Sequence, residues 1–337
     1  MRQSVAAPDH FKPDKRRAFV LDARMRLRLA ESIEHVGERS RGIISVDEQA
    51  LSHLVATLRG NHRFPAAAFA LYYDVVEAIF DHRLTEAEAL LTELCSQTPV
   101  SEPLTFARLD PAVTDVRTVD RYCRMVDTDK LTRFVFNPPP PQAADEFPEF
   151  CDRAIALMTQ ADPELAGEFG GLVCEIVLAS GRSTDGKIRF AGASSFLLWG
   201  AIVVSPSAHR TPISLVEGLA HESAHSLLFG LMVDEPLVLN PDWERFQSPL
   251  RDDPRPMDGI YHATFVVARV HYAMERLLAS ELLNAAAREE ANEILVTNRM
   301  AFAEGLPIIE RHGQLTSRGT AIIAAAKNYM ERAAAGA

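Results

Sequence analysis

The chain has 337 residues, 47% of them apolar and 24% charged, with a formal net charge of −11. That length suits one large domain or two medium ones with a sizeable core. The acidic balance argues against a phosphate-backbone partner. Four scattered cysteines (Cys95, Cys123, Cys151, Cys174) form no Cys-x-x-Cys pair and read as reduced thiols. Residues 1–15 are polar and lack the apolar core of a secretory signal. The longest apolar run, 196–204, is too short to span a bilayer. A soluble, cytoplasmic protein is expected, with no nucleic-acid or membrane partner and an open oligomeric state.

The first third carries helical periodicity over 19–35, 46–59 and 65–80, and a further amphipathic helix opens at Leu84 and runs to about Cys95. Residues 98–120, richer in Pro, Asp and Thr, read as loop with at most one short helix. Four consecutive prolines, Pro138 to Pro141, cannot continue a helix and favour an extended spacer. Three regions are therefore expected: a helical N-terminal region over 1–136, a Pro-rich linker over 137–147, and a second domain over 148–337.

Within that domain, 147–160 reads as helix, 172–178 as a strand, 181–186 as turn, and 196–204 as a second, buried strand closed by Ser205 and Pro206. Ser214 is placed as the N-cap of the next helix, with Glu217 completing a capping box and Pro212 keeping the preceding chain extended. This helix should end near Met232. Further helices are expected over about 259–291, with allowance for a break inside it, then over 293–303 and 316–335. The fold class is α+β, mostly helical: a helical N-terminal part, then a part with a small sheet and the helix that opens near Ser214.

The informative run lies inside the helix that opens near Ser214. His221, Glu222, Ser223, Ala224 and His225 form an HExxH sequence. Two histidines four apart on a helix point the same way, so both imidazoles can hold one metal ion. By itself this run says zinc hydrolase, with Glu222 as general base. An open catalytic site needs a third protein ligand. The metzincin extension fails, because Leu228 and Leu231 stand where it needs glycine and histidine. Glu235, Glu244, Asp258, His262, His271 and Glu275 are the downstream candidates. His262 stands out, because Arg251 and Arg255 precede it in a proline-stiffened loop, and guanidinium binds carboxylates in bidentate geometry. The plainer reading of both arginines is ion pairing with Asp252, Asp253 and Asp258. His271 should face away from His262, nine residues on. His10, His35, His53, His62, His82, His209 and His312 sit in polar or charged contexts and read as solvated.

The runs SLVEGLAHESAH over 214–225 and SPLRDDPRPMDGIYH over 248–262 resemble the 2-oxoglutarate-dependent HExxH-type peptide beta-hydroxylases of bacterial ribosomal-peptide clusters. The resemblance extends weakly to GASSFLLWGAIVVSP over 192–206 and to the helical segment 65–80. It implies a ribosomally made precursor peptide as substrate, with Fe(II), 2-oxoglutarate and O2, and hydroxylation at a side-chain beta carbon. It also implies a zincin-like scaffold turned to oxygenase work. His221, His225 and His262 then become the metal ligands, and Arg251 or Arg255 holds the distal carboxylate of 2-oxoglutarate. Three histidines depart from the usual pair with a carboxylate, and the 2-oxoglutarate dianion offsets the extra positive charge. Glu222 would orient a ligand or water, or itself ligate. Two other readings stand beside this one: a Zn(II) metallopeptidase, and a scaffold that presents a peptide to other enzymes.

Overall fold

The computed structural model describes residues 10–128, 132–248 and 253–335. Its elements in chain order are α1 (Lys15–Arg39), α2 (Glu48–Leu58), α3 (Ala66–Phe80), α4 (Leu84–Cys95), β1 (Thr105–Arg108), α5 (Val116–Val126), β2 (Phe134–Asn137), α6 (Pro141–Ala161), α7 (Pro163–Leu172), β3 (Glu175–Leu178), β4 (Ser180–Ser183), β5 (Gly192–Ser194), a 3-10 turn (Phe196–Leu198), β6 (Ala201–Val204), α8 (Pro212–Leu231), α9 (Met257–Ala279), α10 (Ala285–His312) and α11 (Ser317–Ala335). The mostly helical α+β class follows directly. No helix among the described residues is long and apolar enough to cross a membrane.

Contacts divide the chain into two units that interleave in sequence. One takes the described residues of Met1–Arg17, Glu149–Phe169 and Thr211–Ala337; the other takes Ala18–Pro148 and Gly170–Arg210. Every strand falls in the second unit, whereas α8 to α11 fall in the first. The expected linker over 137–147 is largely helix: Pro141 opens α6, because a proline in the first turn gives up an N–H that has no intrahelical partner anyway. Only Pro138 to Pro140 stay between β2 and α6.

In the strand-bearing unit, β1, β3 and β6 run parallel, with Phe106 opposite Ile176 and Ile176 opposite Ile202; β5 closes the other edge antiparallel to β6. The Ala-Ile-Val-Val of β6 is buried throughout, as parallel strands covered on both faces require. Val177, Leu198 and Val203 share a core with Val119, Tyr122 and Met125 of α5. β2 and β4 form a separate antiparallel pair. Several expectations shift here. The loop expected over 98–120 contains β1 and the start of α5. The strand expected over 172–178 begins only at Glu175, because Leu172 ends α7. Of the strand expected over 196–204 only Ala201–Val204 is strand; Phe196–Leu198 is a 3-10 turn, and Gly200, whose φ of +91° is left-handed and whose added Cβ would stand 3.1 Å from Cys174 Sγ, precedes β6. A side chain at this position would meet both obstacles.

In the other unit, α9 is the buried helix, with Ile260, Tyr261, Phe265, Val266, Val267, Val270, Met274 and Leu277 all inaccessible. It packs against α8, α10 and α11. The break allowed within 259–291 falls after Ala279, and the helix expected over 293–303 is part of α10, which runs unbroken from Ala285 to His312. Phe11 stacks on Tyr329 at 4.6 Å between centroids and meets Phe265 edge-on. Arg17 and Arg269 both donate to the buried carboxylate of Glu168. The connection from α8 to α9 is pinned to the turn before α11: Thr316 N donates to Leu237 O, and Leu239 N donates to Gln314 O. Gly319 permits that approach, because an added Cβ would lie 2.2 Å from Leu237 O.

Candidate metal centre

α8 begins three residues earlier than its sequence suggests. Thr211 is the N-cap: its hydroxyl accepts from Ser214 N at 3.0 Å, and Ser214 Oγ accepts from Thr211 N at 3.1 Å. Pro212 occupies the first helical position, where its fixed φ suits the helix. Ser214 is therefore the third residue of the capping box, not the cap, and Glu217 takes no part in it. The Thr-Pro pair was the signal available in the sequence. The helix ends at Leu231 with Met232 as C-cap, as expected.

Most of α8 is buried, but one stripe is only partly covered: Ser214, Glu217, Gly218, His221, His225 and Phe229. The repeat of three to four residues is that of one helix face. Both histidines of HExxH thus lie on the accessible face. Burial and the neighbouring Glu290 carboxylate push Glu217 above the usual carboxylate range. Glu222 points elsewhere and is 6% exposed. It sits among the packed residues of α8 rather than on the stripe.

His221 and His225 have ring centroids 5.1 Å apart. His262 comes from the second turn of α9, 37 residues further along the chain. Its ring stacks on that of His225 at 5.4 Å and 17°, and the two Nδ1 atoms face each other at 3.2 Å. Phe229, one turn beyond His225 on the same stripe, packs at 5.3 Å from His262 and 6.4 Å from His225. In the sequence Phe229 stands four residues after His225, but nothing local marks it as a partner of His262. His225 is therefore a neighbour of both His221 and His262.

Burial holds His225 well below the ordinary histidine range, and the nearby His221 and His262 push it the same way. Burial lowers His262 as well, against the opposing pull of Asp258. Both rings are therefore neutral near pH 7, the form that ligates metals. Two nitrogens on one ion, each at about 2.1 Å, stand roughly 3.0–3.4 Å apart for octahedral or tetrahedral angles. The Nδ1 pair of His225 and His262 has that separation. Among the described residues, however, no set of three or more His, Cys, Asp or Glu side chains is assembled as a ligand cage. The same 3.2 Å is also hydrogen-bond distance, one ring donating and the other accepting.

The remaining candidates fall away from this cluster. His271 Nδ1 pairs with Tyr329 Oη at 2.7 Å, and Tyr329 in turn donates to Glu275. Glu244 accepts from Asn240, and Glu235 is exposed. Asp258 lies one turn before His262, with Oδ1 4.0 Å from Nε2. Arg255 exchanges both backbone hydrogen bonds with Phe246 at 2.8 Å, and its Nη2 pairs with Asp253 at 2.9 Å. The plainer reading of this arginine, pairing with a neighbouring aspartate, is the arrangement present. Arg251 lies outside the described residues.

No protein-family model matches the chain, and no curated protein matches it in sequence.

Proposed function

We propose that the chain is a metal-dependent enzyme built on His221, His225 and His262, and that it is a peptide hydroxylase using Fe(II), 2-oxoglutarate and O2. The observation that carries the metal reading is the 3.2 Å approach of the His225 and His262 Nδ1 atoms. The choice of iron and a keto acid rests on the resemblance of residues 214–225 and 248–262 to the peptide beta-hydroxylases. In this reading the scaffold is zincin-like, and a ribosomally made precursor peptide is the substrate. When bound, Fe(II) with 2-oxoglutarate supplies O2 reduction coupled to loss of CO2 and formation of succinate, one oxygen atom going to the peptide C–H bond.

The chain's own residues have defined parts. His221 and His225 present imidazoles on the one partly open face of α8, where a substrate can approach. His262 and Phe229 cover the inner side and limit water. Arg255 anchors the distal carboxylate of 2-oxoglutarate after leaving Asp253, or Arg251 serves that role instead. Glu222 acts from within the helix packing on the position of its neighbours.

A second reading, a zinc metallopeptidase, is favoured by one observation: Arg255 already pairs with Asp253, which leaves the keto-acid anchor unsecured. In that reading Glu222 is the general base. Anaerobic reconstitution separates the two. Fe(II) with 2-oxoglutarate should produce a metal-to-ligand charge-transfer band and, on exposure to air with peptide, succinate. If only Zn(II) binds and peptide is cleaved, the oxygenase reading fails.

A further inference from the structure

His262 is 6% exposed, and its two ring nitrogens meet unlike surroundings. Nδ1 faces His225 Nδ1 at 3.2 Å. Nε2 is buried and has no hydrogen-bond partner among the described residues. The nearest carboxylate oxygen given for it is Asp258 Oδ1 at 4.0 Å, one helical turn back on α9. A buried ring nitrogen left without a partner is costly, so this gap calls for closure. Asp258 is able to close it. Its side chain is about half exposed (48%), so packing does not hold it at that distance. It also sits in the first turn of α9, where a negative charge suits the helix terminus.

We propose that Asp258 is a positioning residue: its carboxylate accepts the Nε2–H of His262 and so fixes the ring with the Nδ1 lone pair turned toward His225. In the metal-free protein the Nδ1 of His262 is then the acceptor and the Nδ1–H of His225 the donor, which accounts for their short approach. Loading a metal between them requires His225 to move its proton to Nε2, while His262 already has the correct tautomer. Ligating histidines characteristically donate their other ring N–H to a carboxylate. The part that concerns metal affinity rests on the proposed function; the ring orientation does not.

The test combines two readouts on the full chain. Long-range 15N–1H spectra of the histidine rings in metal-free protein report the tautomer directly. Wild type should show His262 protonated at Nε2, Asp258→Ala should give a mixed or inverted tautomer, and Asp258→Glu should restore the wild-type pattern. Titration with Co(II) alone, without oxygen, should show roughly 10–100-fold weaker binding in Asp258→Ala and near-recovery in Asp258→Glu. A His262 protonated at Nδ1 in wild type, or a tautomer unchanged by Asp258→Ala, overturns the proposal. If the tautomer follows Asp258 but wild type takes up no Co(II), the positioning role stands and the metal reading falls.

Discussion

At the scale of single residues, the cluster separates two histidines that look alike in sequence. His262 and His271 share α9 and are both buried, yet His262 faces His225 whereas His271 pairs with Tyr329. His262→Ala should therefore weaken Fe(II) or Zn(II) binding by more than the roughly 10–100-fold expected for losing an outer partner. His271→Gln should leave metal binding within about twofold of wild type, since outer partners that matter cost about tenfold or more. Equilibrium metal titration checks both, and equal losses would remove the distinction. Arg255→Ala should keep the metal and raise the 2-oxoglutarate concentration needed for the charge-transfer band. A loss of metal in that variant would mean that Arg255 supports the fold of its loop instead. The HExxH pair was legible because i and i+4 share a helix face. Phe229 was equally periodic, but its role depends on a ring brought in from α9.

At the scale of elements, α8 sets the position of the site. Its start is held by the reciprocal Thr211–Ser214 pair, and Thr211 Oγ1 also donates to Glu290 of α10 at 2.5 Å. Thr211→Ala should cost about 1 kcal/mol, seen as a lower midpoint in urea unfolding. Glu217→Ala should cost less, because Glu217 is not the capping partner. The reverse order would restore the sequence-based start at Ser214. The connection from α8 to α9 depends on backbone contact at Gly319, where Ala would drive a methyl into Leu237 O. Gly319→Ala should cost on the order of 1–3 kcal/mol through forced backbone movement. Helix starts differ from the periodicity where capping chemistry decides them, as at Thr211 and Pro141. Pro141 looked like part of a spacer, but prolines in a first turn are neutral to helix formation.

At the scale of the whole molecule, three histidines on α8 and α9 share one electrostatic condition. His225 and His262 are lowered chiefly by burial, and His271 is lowered to about 4, also chiefly by burial, with Arg299 pushing the same way. An unfolded chain takes up these protons near pH 6.5, whereas the folded chain resists. Their contribution is thus fully present above pH 6.5 and is lost as pH falls from there toward 4. Denaturant midpoints for the metal-free protein should drop across that interval, and His271→Gln should flatten the drop. An unchanged slope in that variant would assign the acid sensitivity to other groups.

The sequence by itself determined what local periodicity can encode: a mostly helical chain, a helix carrying two imidazoles on one face, and a histidine beside arginines downstream. Tertiary structure decided what depends on contacts distant in sequence. It brought His262 to 3.2 Å from His225, paired Arg255 with Asp253, and grouped the sheet with α2 to α5 rather than with α8. The physical reason is range. A helix face follows from spacing within one or two turns, whereas the meeting of two helices follows from which apolar surfaces bury each other. The same apolar residues on α8 and α9 satisfy many sequence patterns, and only their packing selects which nitrogen faces which.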